Sequence, residues 1–325
     1  MQTHMTNAPA PLPIQLQPIE DESGLGFILR VFYANGFSTT SGRRQLGIKN
    51  WRSLTLEDVF VLSLITQTPP DWLTLRLMIR SAQFPEHFQY FGHTFRSQAA
   101  KPNMNAKICP DCVREKRWCH RAWIIPGAVV CPIHLRCLID TCNRCGRTIA
   151  WGRPAVDVCA CGSYLSDSDG NLTKSDHKVI SWSKWLDTRL RQQTLTNSAA
   201  DGLVPQLLDH LTIDGATAVV CAFGIRDHPT SPLNPNDVRS QPCDFLFQVL
   251  ERGLARLWSI DGRPQDARRW SEYVYAPILE RLRRNGVSIS DRNSASLLLS
   301  FTATRSHPSN GGRYNRGQLD LFDQR

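Results

Sequence analysis

Cys109-Pro-Asp-Cys112 and Cys131-Pro-Ile-His134 place four potential metal ligands in two short turns, eighteen residues apart. Two residues between ligands let one tight turn offer both to a single ion. The proline after each first cysteine presets φ for that turn. Three sulfurs and one imidazole nitrogen complete a tetrahedron that suits Zn2+. Cys142-Asn-Arg-Cys145-Gly146 and Cys159-Ala-Cys161-Gly162 form a second set. A glycine follows each second cysteine there, where a left-handed residue closes the knuckle. The Cys-x-Cys half is tighter than usual. Cys119 lies close enough to the first set to replace one of its ligands, whereas Cys137, Cys221 and Cys243 read as small buried residues.

Other chemistries fit this pattern less well. A catalytic zinc keeps an open position and has a general base nearby, but each set here already supplies four ligands. The deaminase signature needs His-x-Glu and a proline before Cys-x-x-Cys. Here Pro110 follows Cys109, and neither His120 nor His134 has a glutamate two residues on. His-Glu-x-x-His is absent. A redox Cys-x-x-Cys would be expected alone beside a βαβ pattern, not in two quartets. The expectation is two structural Zn2+ per chain and no catalytic residue.

The 325-residue chain has room for more than one domain. Nine of its eleven cysteines fall between Cys109 and Cys161, which favours metal ligation over scattered thiols. No apolar run approaches the roughly 20 residues that span a bilayer. The opening MQTHMTNAPAPLPIQLQP lacks a charged stretch followed by an apolar core, so a cytoplasmic protein without membrane association is expected. The formal net charge is +9, a balance that suits a polyanion such as nucleic acid. From Lys101 to Gly162, ten Lys/Arg face four Asp/Glu, but seven ligating thiolates offset much of that excess. From Arg281 onward, eight arginines face Asp291, Asp320 and Asp323 with no such offset. Arg281, Arg283, Arg284 and Arg292 are therefore the first candidates for phosphate contact, with Arg76 and Arg80 next.

Positioning elements are expected to be mainly α-helical. Ser23 caps a helix running to about Ala34 through Leu25, Ile28, Leu29 and Phe32, and Asn35-Gly36 ends it. Thr55 and Asp58 form a capping-box-like pair before Val59, Leu62 and Ile65. Pro69-Pro70 opens a third helix through Leu73, Leu75 and Met78. Two helices joined by a short turn resemble a helix-turn-helix. Beyond the metal region, helical stripes run through Val179 to Leu190, Leu203 to Leu211, Phe245 to Trp258 and Trp270 to Leu282. The expected organisation is an N-terminal helix-turn-helix-like domain (1–100), a central pair of small zinc ribbons (101–169), a C-terminal helical domain (170–304) and a tail (305–325).

The stretch CPDCVREKRWCHRAWIIPGAVVCPIHLRCLIDTCNRCGRTI…VCACGSYLSD, Cys109 to Asp167, resembles the zinc-binding core of the TniQ family, the transposon target-selection proteins that include TnsD. The shared features are Cys109/Cys112, Trp123, Cys131/His134, Cys142/Cys145 and Cys159/Cys161. PLPIQLQPIEDESGLGFILRVFYANG is similar to the family's opening. The resemblance implies an adaptor that recognises a target, either DNA or a CRISPR effector complex, and recruits an AAA+ ATPase that brings the transposase. It also implies a bacterial, nucleoid-associated setting. A free-standing zinc-ribbon transcriptional regulator is the alternative, and homodimerisation is open.

Two partner-binding stretches stand out. Trp151 beside Arg144 and Arg147 has the character of an interface anchor, although it could instead cover the second knuckle. Gln318-Leu319-Asp320-Leu321-Phe322 resembles the pentapeptide by which bacterial replication and repair proteins dock on the sliding clamp. Leu319, Leu321 and Phe322 would fill an apolar pocket and Gln318 would hydrogen-bond at its rim.

Overall fold

A computed structural model describes residues 9–51, 54–96, 105–168, 176–191, 202–229, 241–260 and 263–302. The chain is mainly α with one small sheet. The N-terminal part contains α1 (Gly24–Ala34), α2 (Thr39–Gln45), α3 (Leu56–Thr66) and α4 (Pro70–Arg76). Strands β1 (Ile79–Arg80), β2 (Phe88–Tyr90) and β3 (His93–Phe95) follow, antiparallel in that order. Helix α5 (Pro110–Lys116) and a 3-10 turn (Arg121–Ile124) lie in the cysteine-rich part. The second half contains α6 (His177–Arg191), α7 (Gln206–Asp209), α8 (Ile213–Gly224), α9 (Cys243–Trp258), a 3-10 segment (Pro264–Trp270), α10 (Ala276–Asn285) and α11 (Ile289–Thr302).

Local signals set several helix limits. Ser23 Oγ accepts from Gly26 N at 3.1 Å and starts α1, whose Leu25, Ile28, Leu29 and Phe32 are all buried. Thr55 and Asp58 form the reciprocal capping box of α3. Helix α4 starts at Pro70 but stops at Arg76, because Met78 and Ile79 turn into the sheet. Phe91 and Gly92, both at positive φ, form the tight turn between β2 and β3. Met78, expected in α4, lies beyond it, and Arg80 is a strand residue. The stripe from Trp270 to Leu282 is also divided, with Trp270 closing a 3-10 segment and α10 starting only at Ala276. Leu203, Leu207 and Leu211 likewise flank or join only the short α7.

The buried side chains form one contiguous cluster from Leu25 to Leu298. Side-chain and backbone bonds cross the expected boundaries near residues 100 and 170. Ser23 N donates to Cys119 O at 2.9 Å, and Thr39 Oγ1 donates to Trp151 O at 3.2 Å. Trp182 Nε1 donates to Gly127 O at 3.0 Å, and Cys243 N, at the start of α9, donates to Asp140 Oδ2 at 2.8 Å. Trp182 and Trp185 stack at 4.9 Å on the buried face of α6. Glycines permit the closest approaches. A Cβ on Gly26 would lie 2.6 Å from Cys119 Cβ, and one on Gly224 would overlap Val249 O where α8 crosses α9.

A charged network joins the N-terminal segment, the cysteine-rich part and α6. Buried Arg121 reaches Asp21 Oδ1 at 2.6 Å and Asp187 Oδ1 at 2.8 Å, and Arg191 reaches Asp21 Oδ2 at 3.1 Å. His120 Nδ1 accepts from Ala122 N, so Nε2 carries the ring proton, 3.2 Å from Asp187 Oδ1. Burial works against the Asp187 carboxylate, but the adjacent His120 ring and the Arg121 guanidinium outweigh it and hold this group well below the usual carboxylate range.

Two outcomes follow from this packing. Gly224→Ala should cost about 1–3 kcal/mol of overpacking, read as a lower urea midpoint with unchanged m-value. Asp187→Asn should cost about 3 kcal/mol at neutral pH. A depressed carboxylate stabilises the fold fully above its unfolded pKa of about 4 and loses that contribution as pH falls. The gap between wild type and Asp187→Asn should therefore close below about pH 4 in urea titrations run across pH.

Candidate metal centres

The first tetrad is assembled from both knuckles. Cys109 is the N-cap of α5, Pro110 is its first residue and Cys112 lies in its first turn. Cys131 and His134 lie in a turn closed by Leu135 N donating to Cys131 O at 2.9 Å. Leu135 takes a positive φ of 56° to close it. The residues between the knuckles form the 3-10 turn Arg121–Ile124 and a loop, with His120 bridging to Glu22 and Val130 to Cys137.

Distances fit a tetrahedral ion. Cys112 Sγ lies 3.6 Å from Cys131 Sγ, and His134 Nδ1 lies 3.5, 3.2 and 3.8 Å from Cys109, Cys112 and Cys131 Sγ. Zn–S bonds of about 2.3 Å and a Zn–N bond of about 2.0 Å at tetrahedral angles imply S···S and S···N edges of about 3.8 and 3.5 Å. Hydrogen bonds among the thiols pull Cys109 down to about 2 and push Cys112 far up. His134 Nε2 faces Glu115 Oε1 at 3.0 Å, which leaves Nδ1 free to ligate and fixes the ring. Asp111 is held by Arg114 at 2.5 Å and by Arg136 at 2.6 Å, which ties α5 to the second knuckle.

The second tetrad brings Cys142, Cys145, Cys159 and Cys161 within 4.8 Å of one another. Cys142 and Cys161 Sγ are 3.8 Å apart, and Cys145 and Cys159 Sγ are 3.9 Å apart. Gly146 and Gly162 take positive φ, 66° and 86°, as the Cys-Gly pairs require. Ser163 Oγ lies 3.2 Å from Cys142 Sγ and 3.1 Å from Cys161 Sγ, a hydroxyl able to donate to a ligating sulfur. Sequence reasoning had not picked out Ser163 or Glu115. Neither is part of a spacing pattern, and only the folded turns bring them to the sulfurs.

Cys119 is not a ligand. It is buried against Gly26, and Arg153 Nη2 donates to its Sγ at 3.3 Å. Burial pushes this thiol up to about 11. The loop after the 3-10 turn is held by another cation. The buried Lys107 Nζ donates to the carbonyls of Ile125, Pro126 at 2.9 Å and Ala128 at 2.7 Å. Burial pushes this ammonium down to about 8.

The N-terminal segment, α1–α4, the sheet and the complete first tetrad all fall within the TniQ family model, which matches residues 13–138. Residues 13–138 belong to the TniQ family. No curated protein matches the chain. The TniQ match ends before the second tetrad, so that site and helices α6–α11 lie outside it.

The other expected site residues are scattered. Trp151 is only 2% exposed, with the Arg153 guanidinium 5.4 Å from its ring centre, so it cannot be an exposed anchor. Arg144 and Arg147 beside it are exposed. Arg76 stacks on Trp72 at 4.5 Å and on Phe91 at 5.2 Å and donates to Glu20 O, which commits it to packing. Arg80 is exposed beside Phe88. Arg281, Arg283 and Arg284 are exposed on α10, but Arg283 pairs with Glu280 at 2.7 Å. Arg292 donates to Gly286 O and closes the turn before α11. Gln318, Leu319, Leu321 and Phe322 lie outside the described residues. Among those described, no helix is long and apolar enough to cross a membrane.

Loading should follow the two tetrads. Elemental analysis of reduced wild-type protein should give two metal ions per chain, and Cys112→Ser or Cys142→Ser one each. Glu115→Ala should weaken the first site about tenfold in a chelator competition and leave the second unchanged.

Proposed function

We propose that this chain is a target-selection adaptor for DNA transposition, which recognises a target and recruits an AAA+ ATPase. The observation that carries the reading is the TniQ match over residues 13–138, which spans the N-terminal unit and the first tetrad together. Both tetrads take Zn2+ in this reading. Thiolate-rich tetrahedral sites select that ion, and four protein ligands leave no open position for catalysis. The zinc ions hold a scaffold, and the chain performs no chemistry of its own. It acts in the bacterial cytoplasm at the nucleoid. Its target is DNA or a CRISPR effector complex, and the tail from Gln318 to Phe322 gives it an additional contact to the sliding clamp.

With Trp151 buried, the ATPase needs another surface. Leu56 and Phe60 are 62% and 60% exposed, four residues apart on one face of α3 and inside the matched region. Large apolar side chains in such a pair are suited to a partner helix or groove. We place the ATPase contact there.

The test is co-precipitation of the purified chain with the ATPase encoded beside it. Wild type should retain the ATPase, and Leu56→Ser/Phe60→Ser should lose it with metal content and helicity unchanged. A chain that binds one operator tightly and retains no ATPase would instead be a free-standing transcriptional regulator.

A further inference from the structure

Helices α10 and α11 form a helix-turn-helix of their own. They are joined by Gly286, Val287 and Ser288 and pack closely along their lengths. A Cβ on Gly286 would lie 2.7 Å from Leu282 O and 3.0 Å from Asp291 Cβ, so this turn needs glycine to bring the helices together. Ser288 Oγ accepts from Asp291 N at 3.0 Å while Asp291 Oδ2 accepts from Ser288 N at 3.2 Å, which is a reciprocal cap on α11. The same buried carboxylate accepts from Thr212 N at 3.0 Å and Thr212 Oγ1 at 2.8 Å. The N-terminal ends of α8 and α11 therefore converge on one charge, and α8 braces the pair from behind.

Helix α11 has two distinct faces. Asp291, Ala295, Leu298 and Thr302 are buried, at spacings of four, three and four residues. Ile289, Asn293, Ser296 and Ser300 are exposed at the same spacings, half a helical turn away. Ordinary solvated helix faces carry Glu, Lys and Arg. This one carries no charge, and it leaves Ile289 68% and Leu297 41% exposed. Small hydroxyl and amide side chains with apolar neighbours are suited to close approach to a polar, grooved partner. The preceding helix supplies the matching charge. Arg281 and Arg284 are exposed one turn apart on α10, and among the described residues neither has an ion-pair partner.

We infer that α10, its turn and α11 form a unit that reads duplex DNA. Helix α11 lies in the major groove, with Ser290 and Asn293 at base edges, and Arg281 and Arg284 hold the flanking phosphates. Residues near the start of a recognition helix meet the bases, while arginines on the preceding helix fix its register on the backbone. Asparagine pairs in bidentate fashion with adenine, and the exposed apolar side chains suit thymine methyl groups. The inference deepens the adaptor reading by naming its DNA-contacting element, and it moves that element away from α3–α4. Helix α4 has seven residues, exposes Asp71, and spends Arg76 on packing.

The test uses the full-length, metal-loaded chain and a pool of random-sequence duplexes. Wild type should enrich one sequence. Ser290→Ala/Asn293→Ala should keep the salt dependence of binding but discriminate about tenfold less between that sequence and the pool. Arg281→Ala/Arg284→Ala should weaken binding to all duplexes alike, with the slope of log affinity against log salt shallower by about 2. Arg80→Ala should change neither. These substitutions lie on exposed positions outside the core. The inference is overturned if wild type binds no duplex, if both pairs leave binding unchanged, or if Ser290→Ala/Asn293→Ala abolishes capture of a CRISPR effector complex without altering DNA binding. ATPase co-precipitation separates the two readings. Retained ATPase with no DNA binding overturns the α11 assignment alone, and α11-dependent DNA selection without ATPase overturns the adaptor alone.

Discussion

The two Cys/His tetrads are the constraint on which residues 105–168 depend. Strand pairing there is limited to isolated bridges such as Ile108 with Ile139 and Thr141 with Thr148, and helix to the seven residues of α5. So little regular structure leaves its backbone ordered by few bonds of its own. Two tetrads with the geometry to hold a metal ion would supply the missing order, since structural zinc in small domains contributes on the order of 10 kcal/mol to folding. The region is also a hub. Its residues Cys119, Gly127, Asp140 and Trp151 accept bonds from the N-terminal part, α6 and α9, and Arg121 donates to Asp21.

The metal ligands were legible because their spacing is a local property. A Cys-x-x-Cys turn presents its ligands wherever the rest of the chain goes, so reading Cys109 to Cys161 needed no tertiary information. Helices α1 and α3 were legible for the same reason, through Ser23 and through Thr55 with Asp58. What failed depended on distant neighbours. Trp151 beside two arginines reads as an anchor until Thr39 and Arg153 close over it. Arg76 reads as free until Trp72 and Phe91 flank it. Helix α8 has no polar face to give a period, because every residue from Ile213 to Gly224 is buried. Its apolar and small residues read equally well as a buried strand or a loop. The cap of α11 is present in the sequence as Ser288 and Asp291, a Ser-x-x-Asp pair.

Buried charge recurs at each junction between parts of the chain. Lys107 organises three carbonyls, Arg121 joins Asp21 to Asp187, and Asp291 joins two helix starts. Each ion is saturated with partners, so the cost of its burial is offset by geometry that only one arrangement of the neighbouring elements provides. Apolar contacts in the same places would hold the parts together at a range of angles. Ionic joints of this kind fix the orientation of α6 against the cysteine-rich region and of α8 against α11.

The pairing of Arg121 with Asp21, 100 residues apart, also bears on synthesis. When α1 emerges from the ribosome, the carbonyl of Cys119 that its cap will engage has not been made. At about 5–20 residues per second the delay is about 5–20 s. Through that interval the apolar face of Leu25, Ile28, Leu29 and Phe32 lacks its full cover. The first tetrad, Cys109 to His134, is complete only a few residues after Arg121 is made, so the cover of the N-terminal segment and the first set of candidate metal ligands leave the ribosome almost together.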